Sequence, residues 1–119
     1  MNFSDLVMLY MTTIIIKKNA NGEYKGFTCM GHSGFGVNGK DIVCAAVSVL
    51  VINTINSMEE LAGEDMGVTA NEESGFIDCL FERDLSEKGK LLMDSMLLGL
   101  SGVEKQYGKK YLALKFEEV

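Results

Sequence analysis

Residues 31–52 read GHSGFGVNGKDIVCAAVSVLVI, and this stretch organises the rest of the chain. Its first part, residues 31–39, holds four glycines in nine residues. Such a loop costs much conformational entropy to order. Its second part is an apolar run over residues 42–52 that only Ser48 interrupts. The stretch therefore predicts a glycine-rich loop that leads into a buried element.

The apolar run predicts the core helix of the fold. Asp41 is a good N-cap for a helix from residue 42 to about residue 61. Gly63 lies just beyond the end, where glycine commonly terminates helices. The first eleven residues of this helix are apolar on nearly all sides. We expect it to be covered by a sheet on one side and by another helix or a partner chain on the other.

The segments around this helix predict five strands and a second helix. Residues 12–16 form a β-branched run, residues 19–22 have the Asn-Gly chemistry of a hairpin turn, and residues 23–30 return as a strand. Downstream, the patterns predict a hairpin with strands over residues 67–71 and 75–81 and a turn at 72–74. They then predict a helix over residues 87–107 and a last strand over residues 110–117. The order β-β-α-β-β-α-β predicts a small single-domain α/β fold, of the α+β kind, with a mixed sheet and two main helices.

The second helix has recognisable ends. Ser86 or Asp84 is a candidate N-cap, and Gly108 lies at the stop. Its apolar side is predicted from residues near helical spacing: Leu91, Leu92, Met96, Val103 and Tyr107.

The chain has the size of one domain. Its 119 residues and 13.1 kDa suffice for a single hydrophobic core. Met11 lies directly before the first predicted strand. We interpret residues 11–119 as one domain and residues 1–10 as an upstream extension. Mass spectrometry of the protein made from its native gene tests this interpretation.

The composition argues against several classes of protein. A net charge of -6 and a pI near 4.7 disfavour a nucleic-acid binder, which would present a basic face. They suit a basic protein or peptide as partner. The apolar run is too short to span a bilayer, and residues 1–10 contain Asp5 and lack the basic leading region of a signal peptide. Three cysteines without a Cys-x-x-Cys pair fit reduced thiols. We expect a cytoplasmic protein that contacts neither membranes nor nucleic acid.

His32 and Cys44 are candidates for a base and its nucleophile. A cysteine attacks as a thiolate, so positive potential has to lower the pKa of its thiol. As the third residue of a helix capped by Asp41, Cys44 would lie near unpaired amide groups and the positive end of the helix dipole. Those amides could also form an oxyanion hole. If the loop folds back, His32 can act as the base and ion-pair partner.

The residues alone leave other interpretations open. A lone cysteine in an apolar helix is usually a small core residue, and a lone histidine after a strand is mostly structural. Cys29, His32 and Cys44 could also bind zinc, although a closed site takes four ligands. Cys79 would complete that set only by accident of folding, and we expect Cys29 and Cys79 to be packed thiols. Ser48, one turn after Cys44, either bonds back to a helix carbonyl or supports the site.

Two motifs in the opening stretch carry a family resemblance. They are Gly31-His32-Ser33-Gly34-Phe35 and Gly39-Lys40-Asp41-Ile42-Val43-Cys44-Ala45-Ala46-Val47-Ser48. The sequence here resembles the ribosomal-processing cysteine protease Prp family, whose hallmark is a Gly-His dipeptide, a glycine-bearing loop and an Asp-Ile-Val-Cys-Ala-Ala-x-Ser helix start. The resemblance extends from about Met11 to the C-terminal strand and leaves out the first ten residues.

The resemblance implies a small α/β fold, a homodimer, and a protease with His32 and Cys44 as its dyad. It implies no cofactor and no metal. The implied reaction removes a short N-terminal extension from a large-subunit ribosomal protein, the one numbered twenty-seven, by cleavage after a phenylalanine in an apolar-rich motif. Gly31, Asp41 and Ser48 take supporting roles. The implied substrate-binding loop, which moves when substrate binds, contains Ser33, Gly34, Phe35, Gly36 and Gly39.

Two hypotheses about function follow. The first is a cysteine endopeptidase that works through an acyl-enzyme. The second is a non-enzymatic dimeric module that binds a peptide of a ribosomal or assembly partner through the glycine-rich loop, with Cys44 as a core residue. Alkylation of Cys44 much faster than of Cys29 and Cys79 favours the enzyme.

Overall fold

The computed structural model describes residues 12–31, 40–71 and 75–119. Within these ranges the elements follow the predicted order, which confirms the expected small α+β fold. Their bounds are β1 (Thr12–Lys18), β2 (Tyr24–Met30), α1 (Lys40–Ala62), β3 (Met66–Asn71), β4 (Phe76–Phe81), α2 (Glu87–Tyr107) and β5 (Leu112–Glu118). The expected N-terminal extension, His32 with the loop through Gly39, and the turn at 72–74 lie outside the described residues.

The described strands form one mixed sheet in the order β3-β4-β2-β1-β5. β1 and β5 are parallel, and the other neighbours are antiparallel. The β1–β2 hairpin closes as predicted. The Asn19 side chain accepts hydrogen bonds from the N–H groups of Asn21 and Glu23, each at 3.0 Å. Gly22 has a φ of 78°, which glycine adopts without steric cost.

Helix α1 buries one side and exposes the other. It begins at Lys40, two residues before the predicted start, so Asp41 lies inside the first turn and is not the N-cap. The exposed fractions of Ile42, Val49 and Ile52 are 55%, 67% and 49%. The prediction of burial on nearly all sides is therefore wrong for a single chain, and cover by a partner chain stays a prediction. Buried residues recur every three or four positions: Val43, Val47, Val51, Ile55 and Met58.

The same helix has the length and composition of a membrane span. Among the described residues, Ile42–Ala62 is the one segment that is long enough and apolar enough to cross a membrane. Its mean hydropathy is 1.6, and 33% of its apolar stretch is buried. The core helix of a soluble domain meets them too, and the buried side of α1 belongs to the hydrophobic core. Length and hydropathy alone are therefore weak evidence for a membrane.

Helix α2 is amphipathic and capped at both ends. The Ser86 hydroxyl accepts a hydrogen bond from the N–H of Gly89 at 3.1 Å, which confirms Ser86 as the N-cap. Gly108 ends the helix with a φ of 96°. The expected apolar side was wrong at Leu91, which is 68% exposed. The buried residues are Met96, as predicted, together with Gly89, Met93 and Leu100, because these four repeat at the three- and four-residue spacing that keeps one face of a helix inward.

The core lies between the helices and one face of the sheet. Ile14, Ile16 and Phe27 are fully buried on that face, and the ring of Phe27 meets Phe81 edge to face at 6.3 Å between centroids. Helix α2 packs against α1 and against β5. Helix α1 borders the β3–β4 half of the sheet across a cavity, and this cavity holds the candidate site.

Candidate active site

The cavity has a volume of about 430 Å³ and lies between α1 and the β3–β4 hairpin. Thr12, Cys29, Gly31 and Cys44 contribute the ends of β1 and β2 and the start of α1 to its wall. Its apolar lining comes from both sides: Ile52, Ile55, Val68, Ala70, Phe76 and Ile77. The arrangement suits an apolar ligand that reaches a sulfur atom, because largely apolar pockets with a few polar groups are typical of binding sites.

Cys44 is half-buried and lies one turn inside α1. Because the helix begins at Lys40, Cys44 is its fifth residue and not the third, as the cap at Asp41 predicted. Its backbone N–H therefore falls after the four unpaired N–H groups of the helix start. Helical side chains lean toward the N-terminus and cover the preceding turn. The sulfur of Cys44 is thus directed toward the first turn, where the positive end of the dipole lies.

Thr12 contacts the sulfur of Cys44, and the sequence reasoning did not find it. Its Oγ1 lies 3.5 Å from Cys44 Sγ, and Thr12 is only 3% exposed. The signal was present in the strand alternation: Thr12 shares a face of β1 with Ile14 and Ile16, which are fully buried. A hydroxyl on a core-facing position needs a hydrogen-bond partner.

Gly31 lies at the cavity wall beside these two side chains. Its N–H donates to the carbonyl of Gly75 at 3.1 Å, and a Cβ at Gly31 would lie 3.3 Å from Thr12 Oγ1. Gly75 has a φ of 66°, and a Cβ there would lie 2.3 Å from the carbonyl oxygen of Gly31. The two glycines therefore let β2 and the start of β4 approach closely next to Cys44.

Ser48 is exposed and lines the same cavity as Cys44. This position favours the interpretation in which Ser48 supports the site. The back-bond to a helix carbonyl is instead made further along α1 by Thr54, whose hydroxyl donates to the carbonyl of Leu50 at 2.7 Å. Of the other predicted site residues, Asp41 has only its backbone in the described part, whereas His32, Ser33, Gly34, Phe35, Gly36 and Gly39 lie outside it.

Comparison with known families identifies the family of this chain. The sequence model of the family described as Cysteine protease Prp matches residues 11–112. The chain belongs to the cysteine protease Prp family. It is therefore an enzyme of the cysteine protease class, as the first hypothesis expected.

Relatives in this family share length and fold with the chain. The ribosomal processing cysteine protease Prp of Bacillus subtilis (strain 168) is 28% identical over 101 residues, 82% of this chain and 90% of the relative. The protein of the same name from Staphylococcus aureus (strain Mu50) is 25% identical over 99 residues, 83% of this chain and 93% of the relative.

Solved structures agree as well. The S. aureus Prp protease in complex with a substrate peptide superimposes with a TM-score of 0.83 at 23% identity, over 90% of this chain and 100% of that chain. At this identity the likeness shows the fold. SMU.848 from Streptococcus mutans gives a TM-score of 0.78 at 27% identity, over 92% of this chain and 96% of that chain.

The three thiols of this Prp family member differ in how accessible they are. Cys29 is 5% exposed, and burial, with a smaller contribution from the charge of Cys44, raises the pKa of its thiol to about 11. Cys79 is 1% exposed, and burial, followed by the charge of Asp78, raises the pKa of its thiol to about 12. Both are protonated at neutral pH, as expected for packed thiols. Cys44 is the cysteine that is only half-buried.

Proposed function

We propose that this Prp protease removes a short N-terminal extension from the large-subunit ribosomal protein numbered twenty-seven, with Cys44 as nucleophile and His32 as base. One observation carries the proposal: the half-buried Cys44 opens into an apolar cavity in a chain of the cysteine protease Prp family. Gly31, the neighbour of His32 in sequence, lines that cavity too, which supports the choice of His32 as the base.

The reaction would run in two steps. The Cys44 thiolate attacks the carbonyl carbon of the scissile peptide bond, and the tetrahedral intermediate collapses to a thioester. The protonated His32 donates its proton to the leaving amine. In the second step His32 removes a proton from water, the hydroxide oxygen attacks the thioester, and the carboxyl product leaves as the Cys44 sulfur is released. The unpaired N–H groups of the first turn of α1 are candidates to stabilise the oxyanion.

The cavity fits the proposed substrate. Its lining from α1, β3 and β4 is mostly apolar, which suits an apolar-rich motif with a phenylalanine at the cleavage point. The net charge of -6 favours encounter with a basic protein. The S. aureus relative was solved with a substrate peptide and also with a covalently linked product peptide. We place the reaction in the cytoplasm, which suits a protein with three reduced thiols.

Cleavage of a peptide that carries the extension and the apolar motif tests the proposal. We expect Cys44→Ala and His32→Ala each to abolish cleavage while circular dichroism and the thermal midpoint stay near those of the unmodified protein. Cys79→Ala is the matched control, because Cys79 is buried outside the cavity lining, and it should retain cleavage. Full cleavage activity of Cys44→Ala would contradict the proposal. A peptide with the phenylalanine replaced should remain intact.

We also propose that the enzyme is a homodimer that covers the outward sides of its two helices. The exposed fractions of Val49, Leu91 and Leu98 are 67%, 68% and 77%, and large apolar side chains exposed on two packed helices suit an interface. Sedimentation should give twice the chain mass, and Leu98→Glu should reduce it to the chain mass. Leu80→Glu is the control. Leu80 is 52% exposed and lies on the face of the sheet opposite to that of its buried neighbours, away from the helices. Equal masses for both variants would contradict this interface.

A further inference from the structure

The contact between Thr12 and Cys44 joins a buried hydroxyl to the candidate nucleophile. Thr12 Oγ1 lies 3.5 Å from Cys44 Sγ, within reach of a hydrogen bond to sulfur. We propose that Thr12 is a positioning residue, which holds the sulfur of Cys44 and stabilises its thiolate by donating a hydrogen bond. The inference rests on the proposed function, in which Cys44 is the nucleophile.

The hydroxyl of Thr12 has little freedom to turn elsewhere. The residue is 3% exposed, its N–H donates to the carbonyl of Tyr111 at 3.0 Å, and its strand position pairs with Leu112 of β5. The close approach of Gly31 confines the side chain from the other side. A β-branched side chain also has a restricted χ1. The contact with Cys44 is therefore built into the junction of β1, β2 and β5.

The direction of the hydrogen bond depends on the charge of the sulfur. With a neutral thiol, either atom can donate. A thiolate can only accept, so the Thr12 hydroxyl must then donate, and hydrogen bonds to a charged group are the stronger kind. A hydrogen bond that favours the charged form lowers the pKa of the group. By donating to the sulfur, Thr12 would hold Cys44 in place and favour the charged form that attacks the substrate.

The effect of Thr12 has to be separated from that of the titratable groups near Cys44. Among the described residues that line the cavity, Cys29 is the other titratable side chain, and burial keeps its thiol neutral near pH 7. On the neighbouring elements, the strand residues at the cavity wall are uncharged. Lys40 and Asp41 precede Cys44 by one turn of α1, and His32 is the proposed base, so the test of Thr12 has to be repeated in variants that remove each of these three side chains.

The test is the pH profile of Cys44 alkylation by iodoacetamide, read peptide by peptide by mass spectrometry. Thr12→Val removes the hydroxyl and keeps the side-chain shape, so we expect the midpoint of the profile to rise by about half to one pH unit. Thr12→Ser should restore the midpoint. The same rise should occur in the His32→Ala, Lys40→Ala and Asp41→Ala backgrounds. In peptide cleavage, kcat/KM of Thr12→Val should fall more at pH 6 than at pH 9.

Thr13→Val is the matched control. Thr13 is the next residue, is 5% exposed, and points to the opposite face of β1, so its replacement should leave the midpoint unchanged. An unchanged midpoint in Thr12→Val, or equal shifts in Thr12→Val and Thr13→Val, would overturn the inference. Should Thr12→Val fail to fold, Thr12→Ala provides the same comparison. Alkylation needs no peptidase activity, so failure of the proposed cleavage and failure of the Thr12 inference give different results.

Discussion

Cys44 and Cys79 are chemically identical thiols in two regions of the same fold. The cavity region around Cys44 brings together strand ends, a helix start and close glycines, and leaves the sulfur half-buried. The packed region around Cys79 encloses the thiol at 1% exposure, with its sulfur 3.7 Å from that of Met66. The comparison teaches that reactivity here depends on the surroundings of a thiol, since the sequence offers three cysteines and the fold exposes one.

Alkylation rates give the largest expected difference between the two regions. At pH 7 a thiol with a pKa of about 11 or 12 is ionised on the order of one part in ten thousand or less, and Cys29 and Cys79 are also buried, whereas Cys44 is only half-buried. We therefore expect iodoacetamide to modify Cys44 at least about a hundred times faster than Cys29 or Cys79. Mass spectrometry after short exposures measures each site.

The control is the same experiment in denaturant, where all three thiols should react at similar rates. Equally slow modification of the three cysteines in the folded protein would contradict the assignment of Cys44 as the nucleophile. Reaction of Cys79 should increase about tenfold with each pH unit and level off only near pH 12, because burial raises the pKa of its thiol to about 12.

Local patterns predicted much of the fold, and contacts between distant segments account for the rest. Helix α2 was placed over residues 87–107 because the Ser86 cap and the Gly108 stop lie next to its ends. The predicted inward face was wrong at Leu91, because runs of apolar residues make the helical period hard to recognise. The parallel pairing of β1 with β5 joins segments about a hundred residues apart, and no local pattern reports such a contact.

The sequence likewise predicted only part of the candidate site. Cys44, Gly31 and Ser48 were found from the motif and do line one cavity. Thr12 and Gly75 were missed, because each acts through a neighbour that is distant in sequence. Thr12 looked like an ordinary strand-forming residue, and Gly75 looked like the first residue of a strand. Only the folded sheet brings the Gly75 carbonyl to the N–H of Gly31.

Gly75→Ala should damage the cavity region more than the equivalent change at a distant turn. Gly75 and Gly22 both have a positive φ, so alanine is strained at either position by about 1 kcal/mol. A Cβ at Gly75 would also overlap the carbonyl of Gly31 at 2.3 Å, whereas a Cβ at Gly22 meets nothing within 4 Å. We expect Gly75→Ala to lower the free energy of unfolding by about 2–4 kcal/mol and Gly22→Ala by about 1 kcal/mol.

Urea denaturation measures both values, and peptide cleavage separates stability from function. Gly75→Ala should reduce cleavage at temperatures where it is still folded, because Gly31 shifts beside Cys44. Gly22→Ala should cleave at the unmodified rate. Equal stability losses in the two variants would show that the Gly31 carbonyl moves aside at little cost. The close approach of Gly75 to Gly31 would then not constrain the site.

The smallest expected effect lies away from the cavity, at the exposed N-cap of α2. The Ser86 hydroxyl accepts from the N–H of Gly89, and the carboxylate of Glu64 accepts from both the Ser86 hydroxyl and its N–H. Ser86→Ala removes the cap and should lower the free energy of unfolding by about 1–2 kcal/mol. Ser95→Ala, on an exposed position of the same helix, should leave stability within about 0.5 kcal/mol. Both variants should keep the unmodified rate of Cys44 alkylation, because the cap lies outside the cavity lining. A slower alkylation of Cys44 in Ser86→Ala would mean that the cap and the cavity region are coupled through the sheet. The cavity region would then not be distinct from the rest of the fold.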